Sequence, residues 1–308
     1  MSCTQPLYAL RLGVVNSETG KERIKILPRR AGDDYFSLCE RHGKDRIIPL
    51  PCGKCSSCIE ARSKSWAIRC LCEASLYQEN CFLTLTYSNN CIPKGLCKSD
   101  VQKFIKRLRV AYPGKEIRYF GCGEYGEHTH RPHYHLIIFG FFPDDAKYEL
   151  TTNAGGNFYS SKKMQELWPF GFISVGDCSY ASCAYVARYC QKKLKNPDSR
   201  EFTIMSLKPG IGARYFNEHK EFIYKYDAIF GDFGHGKLSH RPSRYFDKLF
   251  ERCDPTVFQH LKEDRINKAY SQVISDMLDH GFRYYEDMCA YHAEIKNDKF
   301  SRLKRKDL

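Results

Sequence analysis

The sequence predicts an α+β protein: a largely antiparallel sheet with helices packed against it. Three observations carry this. Apolar, β-branched segments with period-two alternation recur between residues 81 and 177. Segments with apolar residues at helical spacing separate them, in the order strand, helix, strand, strand, helix, strand, helix. Two of the strands, EIRYFGCGEYG and HYHLIIFGFF, are joined through GEHTHR. That loop is too short for a parallel crossover and suits a hairpin.

In chain order, YALRLGVV, RIKIL and RIIPL read as short N-terminal strands. PCGKCSSCIEARSKSWAIRCLCEASLYQ opens with a turn and a cysteine cluster, then continues as a helix. CFLTLTYSNN, from Cys81 to Asn90, is a strand that ends in a Ser-Asn-Asn turn. Lys98 to Gly114 is an amphipathic helix. Val101, Phe104, Ile105 and Leu108 fall on its inner face; Lys103, Lys106, Arg107 and Arg109 fall largely outside, and Pro113-Gly114 stops it. After the hairpin strands, SKKMQELW is a short helix and FGFISVGD a fourth strand. Asp177 or Ser179 caps the next helix, YASCAYVARYCQKKL. Beyond residue 200 the pattern weakens. Two Gly-rich loops, KPGIGARYF and FGDFGHGKLSHRPSRYF, lead to a polar helical stretch that starts at Asp254-Pro255 and ends in the basic FSRLKRKDL. The expected division is therefore residues 1–200, the sheet with its N-terminal strands and cysteine cluster, and residues 201–308, a mainly helical extension.

The net charge of +13 favours partners that carry phosphate. The 16 cysteines come with no basic segment and apolar run in MSCTQPLYALRLG, and with no apolar stretch of membrane-spanning length. The expectation is a reducing cytoplasm, no membrane, and cysteines that serve as buried thiols and metal ligands rather than a disulfide framework.

Four of the 11 histidines fall within eight residues, His128 to His135. On a strand, His133 and His135 project from one face. A solvated strand mouth would explain a lone pair equally well. Glu124, at the end of the preceding strand, lies across from them if the two strands form a hairpin. Two imidazoles and a carboxylate leave coordination positions open, which suits Mg²⁺ or Mn²⁺ when phosphate oxygens complete the shell, and would also accept Zn²⁺. His128 and His130 are spare candidates placed in the loop.

Tyr185 and Tyr189 are four residues apart, hence neighbours on one helical face. Tyrosines at this spacing usually pack or stack. Beside a metal site, a tyrosine can instead attack phosphorus. A cation polarises the phosphate and a lysine, Lys192 or else Lys193, stabilises the developing charge.

Cys52, Cys55 and Cys58 form C-x2-C-x2-C. A structural zinc site needs a fourth ligand, for which Cys39, His42, Cys70 and Cys72 are the candidates. Buried free thiols are the competing reading. An iron–sulfur cluster is disfavoured because the usual Cys-Pro is missing. GDFGHGKL, Gly231 to Leu238, nearly matches a P-loop, but Leu238 stands where a Mg²⁺-binding hydroxyl belongs.

FLTLTY, then GEYG with RPHYHLIIFG, then YVARYCQKK, in that order, resemble the three motifs of the HUH endonucleases, which include rolling-circle replication initiators, relaxases and related transposases. The two-tyrosine form resembles the replication initiators of microviruses. PCGKCSSC…SWAIRC, EFTIMSLKPGIGARYF and PSRYFDKLF resemble the gokushovirus branch. The resemblance spans most of residues 50 to 250 and implies a central antiparallel sheet with the His-x-His strand in the middle.

It also implies a phage replication initiator that nicks and rejoins single-stranded origin DNA. Tyr185 and Tyr189 would be the nucleophiles, with Lys192 as helper. His133, His135 and Glu124 would be the metal ligands, and Thr84 or Thr86 would orient substrate. Implied partners are single-stranded and origin DNA, with host polymerase and helicase, in the cytoplasm of a bacterial host. Residues 201–308 would contact DNA or a host factor. The basic helix from Lys98 offers phosphate contacts, and exposed aromatics offer stacking for unpaired bases.

Three other readings compete. A non-catalytic single-strand binder with structural zinc explains the charge and the cysteines. It leaves the histidine pair and paired tyrosines without a role. A two-histidine, one-carboxylate oxygenase would place its carboxylate within or after the histidines, and Glu124 precedes them. A single-tyrosine transposase leaves the second tyrosine unexplained.

Overall fold

The structure, a computed structural model, describes residues 3–17, 22–28, 34–126, 129–151, 156–189, 201–232 and 237–304. His128, Cys190, Lys192 and Lys193 lie outside the described residues, as does the side chain of Tyr189. The chain divides into two compact units: Met1–Glu60 with Thr256–Leu308, and Ala61–Pro255.

The first unit begins with strands β1 (Leu7–Val15) and β2 (Glu22–Ile26), helix α1 (Tyr35–His42) and strand β3 (Ile47–Leu50). The three expected N-terminal strands form one antiparallel sheet of order β2-β1-β3. Helix α1 has no strong apolar periodicity; a capping box between Asp34 and Ser37 starts it. Helix α2 (Ser56–Ala74) follows the cysteine cluster.

The second unit is built on a seven-stranded sheet. Its elements begin with β4 (Asn80–Tyr87), α3 (Lys98–Ala111), β5 (Arg118–Tyr125) and β6 (Pro132–Phe139). Next come β7 (Lys147–Thr151), β8 (Asn157–Ser160), α4 (Lys162–Leu167), β9 (Gly171–Asp177) and α5 (Tyr180–Tyr189). Strand β10 (Phe202–Met205) completes the sheet. The order is β10-β5-β6-β4-β9-β8-β7, every pair antiparallel. The His-x-His strand β6 is interior, with β5 on one side and β4, the middle strand of the seven, on the other.

Alternation along the strands sorts side chains onto two faces. Leu83, Leu85, Tyr134, Leu136 and Ile138 pack with Val101, Phe104 and Leu108 of α3 and with Trp168. Phe82, Phe120, Cys122, Ile137 and Phe139 pack with Ala67 and Cys70 of α2 and with Cys183 and Val186 of α5. Each fully buried aliphatic or aromatic side chain contributes about 1.5–3 kcal/mol relative to exposure. The basic face of α3 therefore belongs to the side of the sheet away from α5.

The chain beyond residue 200 is less purely helical than expected. Strand β10 hydrogen-bonds to β5 in the main sheet, so residue 200 falls inside the second unit. Helix α6 (Ala213–Tyr226) buries Phe216, Ile223 and Tyr224. The near-P-loop runs from strand β11 (Ile229–Asp232) to strand β12 (Lys237–His240), an antiparallel pair with no helix after the glycines. Helix α7 (Arg244–Cys253) follows, capped by Ser243.

The first unit ends with α8 (Pro255–Asp279), which starts at the expected proline, and α9 (Tyr285–Lys304). Glu286 of α9 accepts hydrogen bonds from the Tyr8 hydroxyl and the Tyr35 backbone N–H, at 2.5 and 2.8 Å.

Candidate active site

The register of the three central strands builds the site. On β6, Glu124 of β5 lies opposite His133, and Cys122 opposite His135. On the other side, Thr86 of β4 lies opposite His133 and Thr84 opposite His135. All six sit on the α5 face, because each is an even number of residues from Phe82, Phe120 or Ile137 on its own strand. The hairpin thus places a carboxylate across from the imidazole pair, as the spacing predicts.

Strand β6 is anchored from its other face. Tyr134, between the histidines, is fully buried. Its hydroxyl lies 2.8 Å from the Tyr87 hydroxyl and accepts from the Cys97 backbone N–H at 2.8 Å. Tyr87 in turn donates to Asp100 at 2.8 Å. Burial raises the Tyr134 and Tyr87 pKa values. Both phenols stay protonated, so the network holds β6 without introducing charge.

Nε2 of His133 and Nε2 of His135 converge on one oxygen, Glu124 Oε1, at 3.0 and 3.1 Å. The three ligand atoms lie within 4.8 Å of one another. Glu124 and His135 are buried, while His133 is partly open. His133 Nδ1 lies 3.0 Å from the Arg131 carbonyl oxygen, which can only accept, so Nδ1 carries a hydrogen. In the neutral ring Nε2 then presents a lone pair to the carboxylate oxygen. A lone pair facing an anion calls for a cation between them. The spacing fits: a metal–ligand distance of about 2.1 Å puts cis ligands of an octahedral ion about 3.0 Å apart. Cooperation by Thr84 is visible at His135, whose Nδ1 lies 3.1 Å from Thr84 Oγ1. The resemblance assigned Thr84 or Thr86 to substrate. Instead Thr84 meets a candidate ligand, and Thr86 donates to the Phe172 carbonyl at 3.3 Å.

Helix α5 brings Tyr185 to this cluster. Ser179 Oγ accepts from the Ser182 N–H at 3.2 Å and starts the helix. Asp177, the other expected cap, instead receives hydrogen bonds from Asn157 and Tyr159. Buried Cys183, Val186 and Ala187 seat the helix on the sheet. Tyr185 is 36% exposed, which leaves its hydroxyl open to a ligand in solution. That hydroxyl is 3.5 Å from His135 Nε2, and its ring stands edge-on to His135 with centroids 5.0 Å apart. Tyr189 ends the same helix one turn later. His130 is exposed in the hairpin loop and is not among the clustered atoms.

The cysteine cluster closes differently from the expectation. Cys52, Cys55 and Cys58 gather with Cys3, not with Cys39, His42, Cys70 or Cys72. Cys39 lies on α1, and Cys70 and Cys72 are buried along α2, twelve or more residues beyond Cys58. Cys3 was missed because it is 49 residues from Cys52. Only the pairing of β1 with β3 brings them together.

A family model for replication-associated proteins of the ORF2 type matches residues 80–194, from the start of β4 past the end of α5. The chain is 31% identical over 277 residues to the replication-associated protein ORF2 of Spiroplasma virus 4, covering 83% of this chain and 85% of that protein. It is 34% identical over 277 residues to replication-associated protein ORF4 of Chlamydia phage 1, covering 82% and 68%. It is 36% identical over 211 residues to replication-associated protein VP4 of Bdellovibrio phage phiMH2K, covering 64% and 67%. No solved structure matches the chain.

Proposed function

The chain belongs to the ORF2-type family of replication-associated proteins, and on that premise we propose that it initiates phage genome replication by nicking and rejoining single-stranded origin DNA. The observation that carries this reading is the Tyr185 hydroxyl held 3.5 Å from His135 Nε2, beside Glu124 and His133. A nucleophile and an open metal-binding set on one accessible face fit phosphoryl transfer better than binding alone.

In the reaction, the Tyr185 oxygen attacks a backbone phosphorus. A phosphotyrosine ester forms to the 5′ end, and the bond to the 3′ oxygen breaks. That oxygen takes up a proton and becomes a free 3′-OH for a polymerase. One phosphoester replaces another, so no ATP is needed. Attack by a later 3′-OH reverses the step and joins strands. His133, His135 and Glu124 would hold Mg²⁺ or Mn²⁺, which when bound withdraws charge from the phosphate oxygens. Thr84 and the Arg131 carbonyl orient the two rings so that Nε2 faces the site. Tyr189, one turn on, serves the second cut of each round, and Lys192 stabilises charge on the transferring phosphate. The strand runs over the α5 face, since α3 packs on the other. Host polymerase and helicase extend and unwind, in the host cytoplasm. Among the described residues no helix is long and apolar enough to cross a membrane.

The test is a cleavage assay with labelled single-stranded origin DNA and Mn²⁺ or Mg²⁺. It compares wild type, Tyr185→Phe, Tyr189→Phe and the double variant on a denaturing gel. The expected result is a metal-dependent covalent adduct that the double variant lacks although it still binds DNA. Binding without an adduct in every variant supports the single-strand binder instead. Strand rejoining that survives Tyr189→Phe undiminished supports a single-tyrosine mechanism.

A further inference from the structure

We propose that Cys3, Cys52, Cys55 and Cys58 form a closed, structural site for one zinc ion, with Cys3 as the ligand that completes it. The site is separate from the histidine cluster and does not rest on the nicking reaction.

The sulfur geometry points to one ion. All four Sγ atoms lie within 4.8 Å of one another, and Cys3 Sγ is 3.8 Å from Cys55 Sγ. Zinc–sulfur bonds of about 2.3 Å in a tetrahedron space the sulfurs about 3.8 Å apart. A disulfide needs about 2.05 Å, and all four cysteines are free. A multi-iron cluster would set several iron and sulfide atoms among the thiolates and hold them further apart.

The backbone is arranged for thiolates. Gly53 has φ +74°, a left-handed turn between Cys52 and Lys54. The turn aims the N–H groups of Lys54 and Cys55 at Cys52 Sγ, at 3.4 and 3.3 Å. The Cys52 N–H points at Cys3 Sγ at 3.3 Å. Three N–H groups directed at sulfur stabilise negative charge there and orient the ligands. Cys58 lies in the first turn of α2, where the helix dipole favours an anion. Four thiolates leave no open position, so the ion is structural. Soft sulfur also selects zinc over the hard ions that suit Glu124 and the histidines. The site ties the segment before β1 to the turn before α2 across 49 residues of chain, a closure the short sheet would otherwise have to hold alone.

The experiment uses the full chain purified without chelator. Metal analysis should find one zinc per chain, retained when His133 and His135 are both changed to Ala. Cobalt substitution should give a tetrahedral visible spectrum with sulfur-to-metal charge transfer. That charge-transfer intensity should fall by roughly a quarter in Cys3→Ser. Zinc affinity of Cys3→Ser, measured against a competing chelator, should fall by more than about tenfold. If Cys3→Ser does not fold, alkylation of the wild type decides. Zinc should shield Cys3, Cys52, Cys55 and Cys58, while Cys91 and Cys253, which are exposed, react at once. The proposal is overturned if wild type holds no zinc and the four thiols react equally with and without it. It is also overturned if Cys3→Ser keeps wild-type zinc affinity and an unchanged cobalt spectrum.

Discussion

Thr84 Oγ1 lies 3.1 Å from His135 Nδ1, directly across the pairing of β4 with β6. The hydroxyl touches the ring nitrogen that does not face Glu124. It fixes ring orientation and leaves Nε2 for a cation. Thr84→Val keeps the shape and removes this contact. Mn²⁺ affinity, read by calorimetry, should drop about 10–100-fold with little loss of stability. Unchanged affinity would mean that the packing of Phe82 on the ring suffices; their centroids are 5.5 Å apart.

Glu124→Gln should weaken Mn²⁺ binding at least as much as Thr84→Val, because it removes the anion rather than an orienting partner. Chelation of the metal from wild type should abolish adduct formation and leave single-strand binding largely intact. A chelator-resistant adduct would separate the chemistry from these three residues.

Gly121 stands where a Cβ would overlap the His135 carbonyl oxygen and a methyl of Leu136. Gly121→Ala must therefore push β6 away from β5, although it touches no candidate ligand. We expect a loss of about 1–3 kcal/mol in denaturant unfolding, with weakened Mn²⁺ binding alongside. Wild-type metal affinity in a destabilised variant would show that the histidine pair tolerates movement of its strand.

Glu73 and Arg118 form a buried ion pair that joins α2 to β5. Glu73 also accepts from the Gly212 N–H at 2.6 Å, and Arg118 donates to the Pro209 carbonyl at 2.6 Å. Glu73→Gln leaves a buried guanidinium without its anion. Unfolding should cost about 3–5 kcal/mol less than in wild type. A change under about 1 kcal/mol would mean that water reaches Arg118.

Burial, and then the Lys64 cation, hold the His240 pKa below its usual 6.5. The folded protein therefore binds the proton less readily than the unfolded chain. The stability linked to His240 is complete above pH 6.5 and is lost as pH falls from there through the lower folded value. Thermal melts between pH 7.5 and 5.5 should show a smaller decline in His240→Gln than in wild type. Equal declines would remove His240 from the acid response.

The local elements of the second unit were legible because their patterns are strong. Alternation in FLTLTY and HYHLIIF, helical spacing from Val101 to Leu108 and the short hairpin loop set strand, helix and antiparallel pairing. The same period of two put His133 and His135 on one face, and the hairpin put Glu124 opposite. What the sequence by itself determined is therefore local: which segments pair, and which residues share a strand or helix face. Tertiary structure alone decided the rest. It chose which face of the sheet α5 covers, and so brought Tyr185 to His135 across 50 residues. It turned Thr84 toward the ligand and drew β10 back to the edge of the main sheet. It also brought Cys3 to the C-x2-C-x2-C cluster, where local spacing had pointed to Cys39, His42, Cys70 or Cys72. Each of these is a contact between distant segments, fixed by which apolar surfaces bury together, and no periodicity within a segment encodes that choice.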